Sequence, residues 1–319
     1  MTKFIKLIVK ELTPPIIQRF IRFILRKTSI KENVDEIIEI TNEDISSFKI
    51  DQHIRLSTES LIIGNGPSFK FFMDYHKSFI DGKIVFCVNS FADTEYFEKI
   101  KPQFYIFADP AYWNRNCSGD LLEELNRTCE SIKKKVTWSI YILFPIAARE
   151  WNFLSDLPSQ NSNINIIYYN NQINFKKDYE FRYKLYKSNQ AMIHCQNVLV
   201  AAIFLSLNLG FKASYLVGAD LSLHEEVFVN KLNTVCHKQK HFYDEGTTSL
   251  VPFWKDNENT ATFKMHELFE AFSLMFKGFT ELEEYSKYLG AKIYNISNKS
   301  YIDAFERLDL DAEKKINSI

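Results

Sequence analysis

The chain has 319 residues, 46% of them hydrophobic, and a formal net charge of -1. That length suits one large α/β domain or two smaller ones with a real core, and the near-zero charge gives no electrostatic reason to expect a nucleic-acid partner. The five cysteines (Cys87, Cys117, Cys129, Cys195 and Cys236) are odd in number and never spaced Cys-x-x-Cys, which argues against a disulfide framework or a zinc ribbon.

From Lys3 to Lys27 the chain carries seven basic residues (Lys3, Lys6, Lys10, Arg19, Arg22, Arg26, Lys27) and one acid, Glu11. Between them lie Phe4, Ile5, Leu7, Ile8 and then Ile16, Ile17, Phe20, Ile21, Phe23, Ile24 and Leu25. Pro14-Pro15 divides this arm into two short amphipathic helices, since proline suits a first helical turn and ends the helix before it. A basic helix rich in Phe and Ile can lie in the headgroup region of an anionic membrane. It can equally pack on the protein's own body or on a second subunit of a homo-oligomer. No signal-peptide pattern and no apolar stretch of spanning length is read, so the expectation is a cytoplasmic protein, peripheral on the inner membrane face through residues 1–27.

Residues 28–57 are polar and read as a linker, so residues 1–57 form an arm and linker before the main domain. Apolar runs then predict strands at Leu61–Ile63, Ile84–Val88, Phe104–Phe107, Trp138–Phe144, Ile164–Tyr169, Ser214–Val217 and Lys292–Ile296. Helical patterns fall at Lys70–His76, Asp120–Lys135, Ala191–Leu209 and Thr262–Leu289. Strand and helix in alternation imply an α/β, Rossmann-like, mostly parallel sheet with helices on both faces, spanning about residues 58–308. Residues 221–262 break the alternation with polar, aromatic and histidine-rich sequence and read as a lid insertion. Residues 309–319 read as a charged, solvated tail.

Four predicted strands end alike, in small or polar residues: Gly64-Asn65-Gly66-Pro67-Ser68, then Asn89-Ser90, Asp109-Pro110 and Gly218-Ala219-Asp220. In an open α/β sheet the carboxyl strand ends line the ligand crevice, where Asn and Asp can bond ribose hydroxyls or a base edge. Glycine there permits a tight turn and close backbone approach, and Ser68 is a fair N-cap for the next helix. A corner that binds nothing would look the same at any one of the four. Asn197 and His194 lie near a predicted helix start, which favours a phosphate. Neither Gly-x-Gly-x-x-Gly nor a Walker lysine motif occurs, which disfavours a dinucleotide or P-loop site. Asp309-Leu310-Asp311 lies outside the sheet, so no obligatory metal is expected. His241, beside Asp244 and Glu245, is the best general-base candidate, because imidazole titrates near neutral pH. His266, on the long helix, is second; each histidine can also be simply structural.

These residues resemble the bacterial sialyltransferases of the Campylobacter lipooligosaccharide type and the motility-associated-factor glycosyltransferase group. The resemblance is strongest at Leu61 to Ser68, at Asn208 to Asp220, and at Lys292 to Ser300, where Asn295 and Ser300 sit in an Asn/Ser loop. It implies a Rossmann-like sheet with a lid and an inverting, metal-independent transfer assisted by a histidine base. The donor it implies is a CMP-activated nonulosonic acid, with no other cofactor, and the acceptor is a glycan. By position, Gly64, Asn65, Gly66, Ser68, Asn89, Gly218 and Asp220 would hold the nucleotide, and Asp109 stands where the family has asparagine. Asn197 stands where the family has a small hydroxyl residue. Ser222 occupies a spot near the lid's phosphate-stabilising tyrosines, leaving Tyr243 as the obvious phenol, and His241 fits the order of the base. Archaeal hydroxymethylpterin diphosphokinase-like proteins also resemble the Gly-Asn-Gly-Pro-Ser and Gly-x-Asp pattern and would want Mg²⁺ near Asp109 and Asp220. A non-catalytic nucleotide-binding scaffold is the third reading.

Overall fold

The computed structural model describes residues 50–311, apart from 52–53, 55, 114–119, 151, 174–177, 239–249 and 255–260. Residues 1–49, with the amphipathic arm, and the candidates His241 and Tyr243 lie outside the described residues.

Eight strands form one sheet: β1 (Glu59–Ile63), β2 (Ile84–Val88), β3 (Phe104–Ile106), β4 (Ile140–Pro145), β5 (Ile164–Tyr169), β6 (Ala213–Val217), β10 (Lys292–Asn295) and β11 (Glu306–Arg307). Their order is β11-β10-β6-β1-β2-β3-β4-β5, and every pairing is parallel. A parallel sheet needs cover on both faces, which is why inner strands such as β2 and β4 read as unbroken apolar runs rather than alternating ones. The cover is visible in the two cores. Ile62, Phe86, Val88 and Ile106 point into one, while Leu61, Ile63, Val85 and Cys87 point into the other.

The first core is closed by α5 (Tyr179–Lys187), α6 (Val198–Asn208) and α7 (Met265–Tyr288). The second is closed by α1 (Ser68–Tyr75), α2 (Tyr96–Ile100), α3 (Asp120–Lys135) and α4 (Asn152–Gln160). In α6 every residue from Leu199 to Leu207 is buried, because the helix lies between the sheet and α7, and a helix enclosed on all sides must be apolar all round. Gly278 of α7 lies so near Val200 that a Cβ there would come within 3.3 Å of its Cγ2, and the Tyr285 hydroxyl bonds Asn208 at 2.7 Å. Thus α6 and α7 run side by side in the same direction, with the first half of α7 continuing past the start of α6.

Several local expectations change. The helix expected over Ala191–Leu209 begins only at Val198, and Met192 instead bridges to Ile173 in extended form. Ser68 is not an N-cap: it is the first residue of α1, and its cap comes from a side chain far along the sequence, Asp220. The insertion at 221–262 is not irregular throughout. It holds a separate antiparallel sheet of β7 (Val227–Val229), β8 (Val235–Lys238) and β9 (Leu250–Pro252). The start of the tail is docked rather than solvated, with Leu308 and Leu310 against the second core and Asp311 within 3.3 Å of His76 Nε2. Among the described residues no helix is long and apolar enough to cross a membrane.

Candidate functional site

The strand order places β1 beside β6, and the chain leaves them on opposite faces: α1 follows β1 over the second core, whereas α7 lies on the first. Connections that part in this way open a crevice at the carboxyl ends of the two strands, the usual ligand position in such sheets. Gly64, Asn65 and Gly66 follow β1 at this edge, and Gly218, Ala219 and Asp220 follow β6.

The two strand ends touch backbone to backbone. Gly64 N–H donates to the Val217 carbonyl and Gly66 N–H to the Gly218 carbonyl, each at 2.8 Å. A Cβ on Gly64 would stand 2.5 Å from the Gly218 oxygen, and Gly218 itself has φ +65°. No side chain fits there, so these glycines are explained by strand-end packing before any ligand is considered.

Asp220 completes the join. Its carboxylate accepts from the Ser68 N–H at 3.2 and 3.3 Å and from the Ser68 hydroxyl at 2.8 Å. Burial raises the Asp220 carboxyl above its ordinary value, and the Ser68 bonds partly offset that. A carboxylate therefore already occupies the positive end of α1, the position where a related sheet would hold a phosphate.

Beside this join, β2 continues the edge. Its register with β1 brings Asn89 level with Asn65, and Asn65 Nδ2 donates to the Val88 carbonyl at 3.3 Å. The Oδ1 atoms of both Asn65 and Asn89 are buried, and neither has a hydrogen-bond partner among the described residues. An unsatisfied buried acceptor costs about 1–3 kcal/mol, so two at one sheet edge need an explanation. Asn89 also has φ +50°, a left-handed conformation that asparagine tolerates better than most residues.

Residues absent from the sequence reading hold this edge in place. Tyr105, fully buried on β3, donates its hydroxyl to the Asn89 carbonyl and accepts the Ala92 N–H at 2.8 Å. Burial pushes its phenol up from the ordinary value. Asp93 then ties the same turn to α3 through Thr128 and Ser131, both at 2.8 Å. Tyr169 donates to the Phe107 carbonyl at 2.9 Å, fixing the strand end that leads to exposed Asp109. A buried tyrosine in a strand looks like ordinary core in sequence, so nothing marked these two.

The remaining candidates fall in different places. Asn197 is the N-cap of α6, its side-chain Oδ1 accepting the Leu199 N–H at 2.8 Å, so that acceptor serves its own helix. Nearby His194 is largely buried, which lowers its pKa and favours the neutral ring. Asn295 is fully buried: it donates to Ser300 Oγ at 2.9 Å and accepts from Ser297 N–H at 3.1 Å. Ser300 in turn donates to the Ala219 carbonyl at 2.6 Å. This pair braces the β6 strand end and has little left to offer a ligand. Ser222 opens the turn after Asp220, half-buried. His266 is exposed on the first turn of α7, twelve residues before Gly278, or about 18 Å along the helix from the start of α6. Among the described residues no group of three or more His, Cys, Asp or Glu gathers in metal-binding array.

No family model and no curated protein matches the chain. Among solved structures, a MAf glycosyltransferase from Magnetospirillum magneticum is similar at 13% identity and a TM-score of 0.42, over 80% of this chain. The chain spans 34% of that protein's length.

Proposed function

We propose that this protein is a glycosyltransferase of bacterial surface-glycan assembly that binds a nucleotide-activated sugar in the β1/β6 crevice. The observation that carries the reading is the pair of buried, unpartnered carboxamide oxygens on Asn65 and Asn89 at the carboxyl edge of the sheet. Both are acceptors, so the ligand they suit presents N–H or O–H donors, as an exocyclic amino group and ribose hydroxyls do. The sequence resemblance narrows the donor to a CMP-linked nonulosonic acid. Placement of Asp220 on α1 also favours base and ribose recognition here over a phosphate cradle.

In such a transfer the acceptor hydroxyl loses its proton as the glycosidic bond forms, and CMP departs as a phosphate monoester. Departure calls for hydrogen-bond donors around the phosphate, which the lid and Tyr243 would supply. His241 is the proposed base, and transfer proceeds with inversion and without an obligatory metal. The diphosphokinase alternative is less well supported, since it asks Asp220 to face Mg²⁺ while both its oxygens accept from Ser68. The basic arm would hold the enzyme against an anionic membrane that carries its glycan acceptor; deleting residues 1–27 should release it from vesicles containing anionic lipid.

The test is a thermal-shift panel of CMP, CDP, UDP, GDP and ATP, with and without Mg²⁺, followed by a transfer assay with CMP-linked donors. Stabilisation by CMP without metal supports the reading. Stabilisation only by ATP with Mg²⁺ would overturn it in favour of the kinase, and CMP binding without donor turnover would favour a scaffold.

A further inference from the structure

We infer that Tyr105 is a positioning residue for the crevice: its buried hydroxyl holds the β2 strand end so that Asn89 keeps an unpartnered carboxamide oxygen beside Asn65. The inference rests on the crevice being the ligand site proposed above.

The turn Asn89–Asp93 leaves β2 at the sheet edge, and its first residue is held in a left-handed conformation. No bond to the Asn89 Oδ1 enforces this, since that atom meets no partner among the described residues. The constraint comes from beneath. One hydroxyl, Tyr105 Oη, receives the N–H of Ala92 and donates to the carbonyl of Asn89, so a single side chain clasps both ends of a four-residue turn. Tyr105 has no freedom of its own: Phe97 meets its ring edge-on at 5.7 Å, and Phe107 lies 5.0 Å away. Asp93 anchors the far end of the turn to α3, which leaves Asn89 as the residue whose orientation the clasp decides. With the backbone carbonyl of Asn89 turned down onto Tyr105, the unpartnered carboxamide belongs to the edge that Asn65 shares.

The chemistry asks for this device. A carboxamide that must accept from a ligand cannot be fixed by an internal bond to that same oxygen, so rigidity has to come through the backbone. Tyr105→Phe removes the clasp and keeps the ring, leaving the packing with Phe97 and Phe107 intact.

Three measurements test it. In the wild-type protein, the Ala92 amide should exchange as slowly as amides of the central strands; exchange at the rate of an exposed loop overturns the clasp without any variant. In a crystal structure of Tyr105→Phe, Asn89 should leave its left-handed conformation, and an unchanged φ overturns the inference. In titrations with CMP, Tyr105→Phe should weaken binding about tenfold, and Asn89→Ala on that background should add little, because the two changes act on one contact. Losses that simply add, or wild-type affinity in Tyr105→Phe, would show a purely structural tyrosine. A wild-type protein that binds none of the five nucleotides removes the nucleotide reading instead, while exchange and crystal geometry still decide whether Tyr105 sets Asn89.

Discussion

Asp220 caps a helix that begins 152 residues earlier: its carboxylate accepts both the backbone N–H and the hydroxyl of Ser68. That one contact joins the ends of β1 and β6, neutralises the first turn of α1, and denies that turn to any phosphate. Asp220→Ala should leave both Ser68 donors without their partner and destabilise the fold by about 1–3 kcal/mol, read from urea unfolding.

The same carboxylate has a pH signature. Its folded pKa is raised, chiefly by burial, from the ordinary 3.8. The folded chain therefore holds this proton at pH values where the unfolded chain has lost it. Stability from this group falls as pH rises from 3.8 through the raised folded value, and is level outside that window. Unfolding measured across acidic pH should show that downward slope in the wild type and a shallower one in Asp220→Asn. An identical slope in the two proteins would place the titration elsewhere.

A methyl group at Gly66 would meet Asp220 Oδ2 at 2.0 Å and the Gly218 carbonyl at 2.6 Å. Gly66→Ala should cost about 1–3 kcal/mol through overpacking. Adding Asp220→Ala removes the nearer clash and leaves the one with backbone, so the double variant should recover only part of the shortfall relative to Asp220→Ala alone.

Asn89 separates stability from binding. Glycine accepts a φ of +50° without the strain of a Cβ, and Asn89→Gly also removes a buried acceptor that has no partner. The variant should melt no lower than the wild type yet bind CMP at least about tenfold more weakly, the loss of roughly one good hydrogen bond. Equal binding by calorimetry would remove Asn89 from the site.

The two histidines should differ sharply. His266 is exposed on a helix end projecting beyond the crevice, so His266→Ala should transfer sugar at close to the wild-type rate. His241→Ala should lower kcat by about 10²–10⁴ with little change in CMP affinity, as expected for a general base. A full-rate His241→Ala enzyme would discard that assignment.

Much of the sheet was readable from the chain. Ile84–Val88 emerges with the expected ends because burial on both faces demands a continuous apolar strand. Ile164–Tyr169 emerges with the expected ends as an edge strand with Asn165 exposed, and Asp120–Lys135 emerges as the expected helix because a surface helix keeps an apolar stripe. The motifs at Asn65, Asn89, Asp109 and Gly218-Ala219-Asp220 do end strands of one parallel sheet, at its carboxyl edge. Short elements were less visible. Helix α5 is dense in tyrosine and charge, and its signal is the Asp178 cap, whose carboxylate accepts from Glu180 and Phe181 N–H. Strands β7 to β9 are three or four residues each, too brief for a periodic pattern.

By itself the sequence determined the fold class and which residues end the strands, since these follow from local apolar runs and turn residues. Only the tertiary structure decided what those residues do. It set β6 against β1, so Asp220 faces Ser68 and the glycines pack on each other rather than around a phosphate. It used Asn197 as a helix cap and Asn295 as a brace, and put Tyr105 beneath Asn89. Each of these depends on which strands become neighbours, a choice made by burying two faces at once and written in no single stretch of the chain.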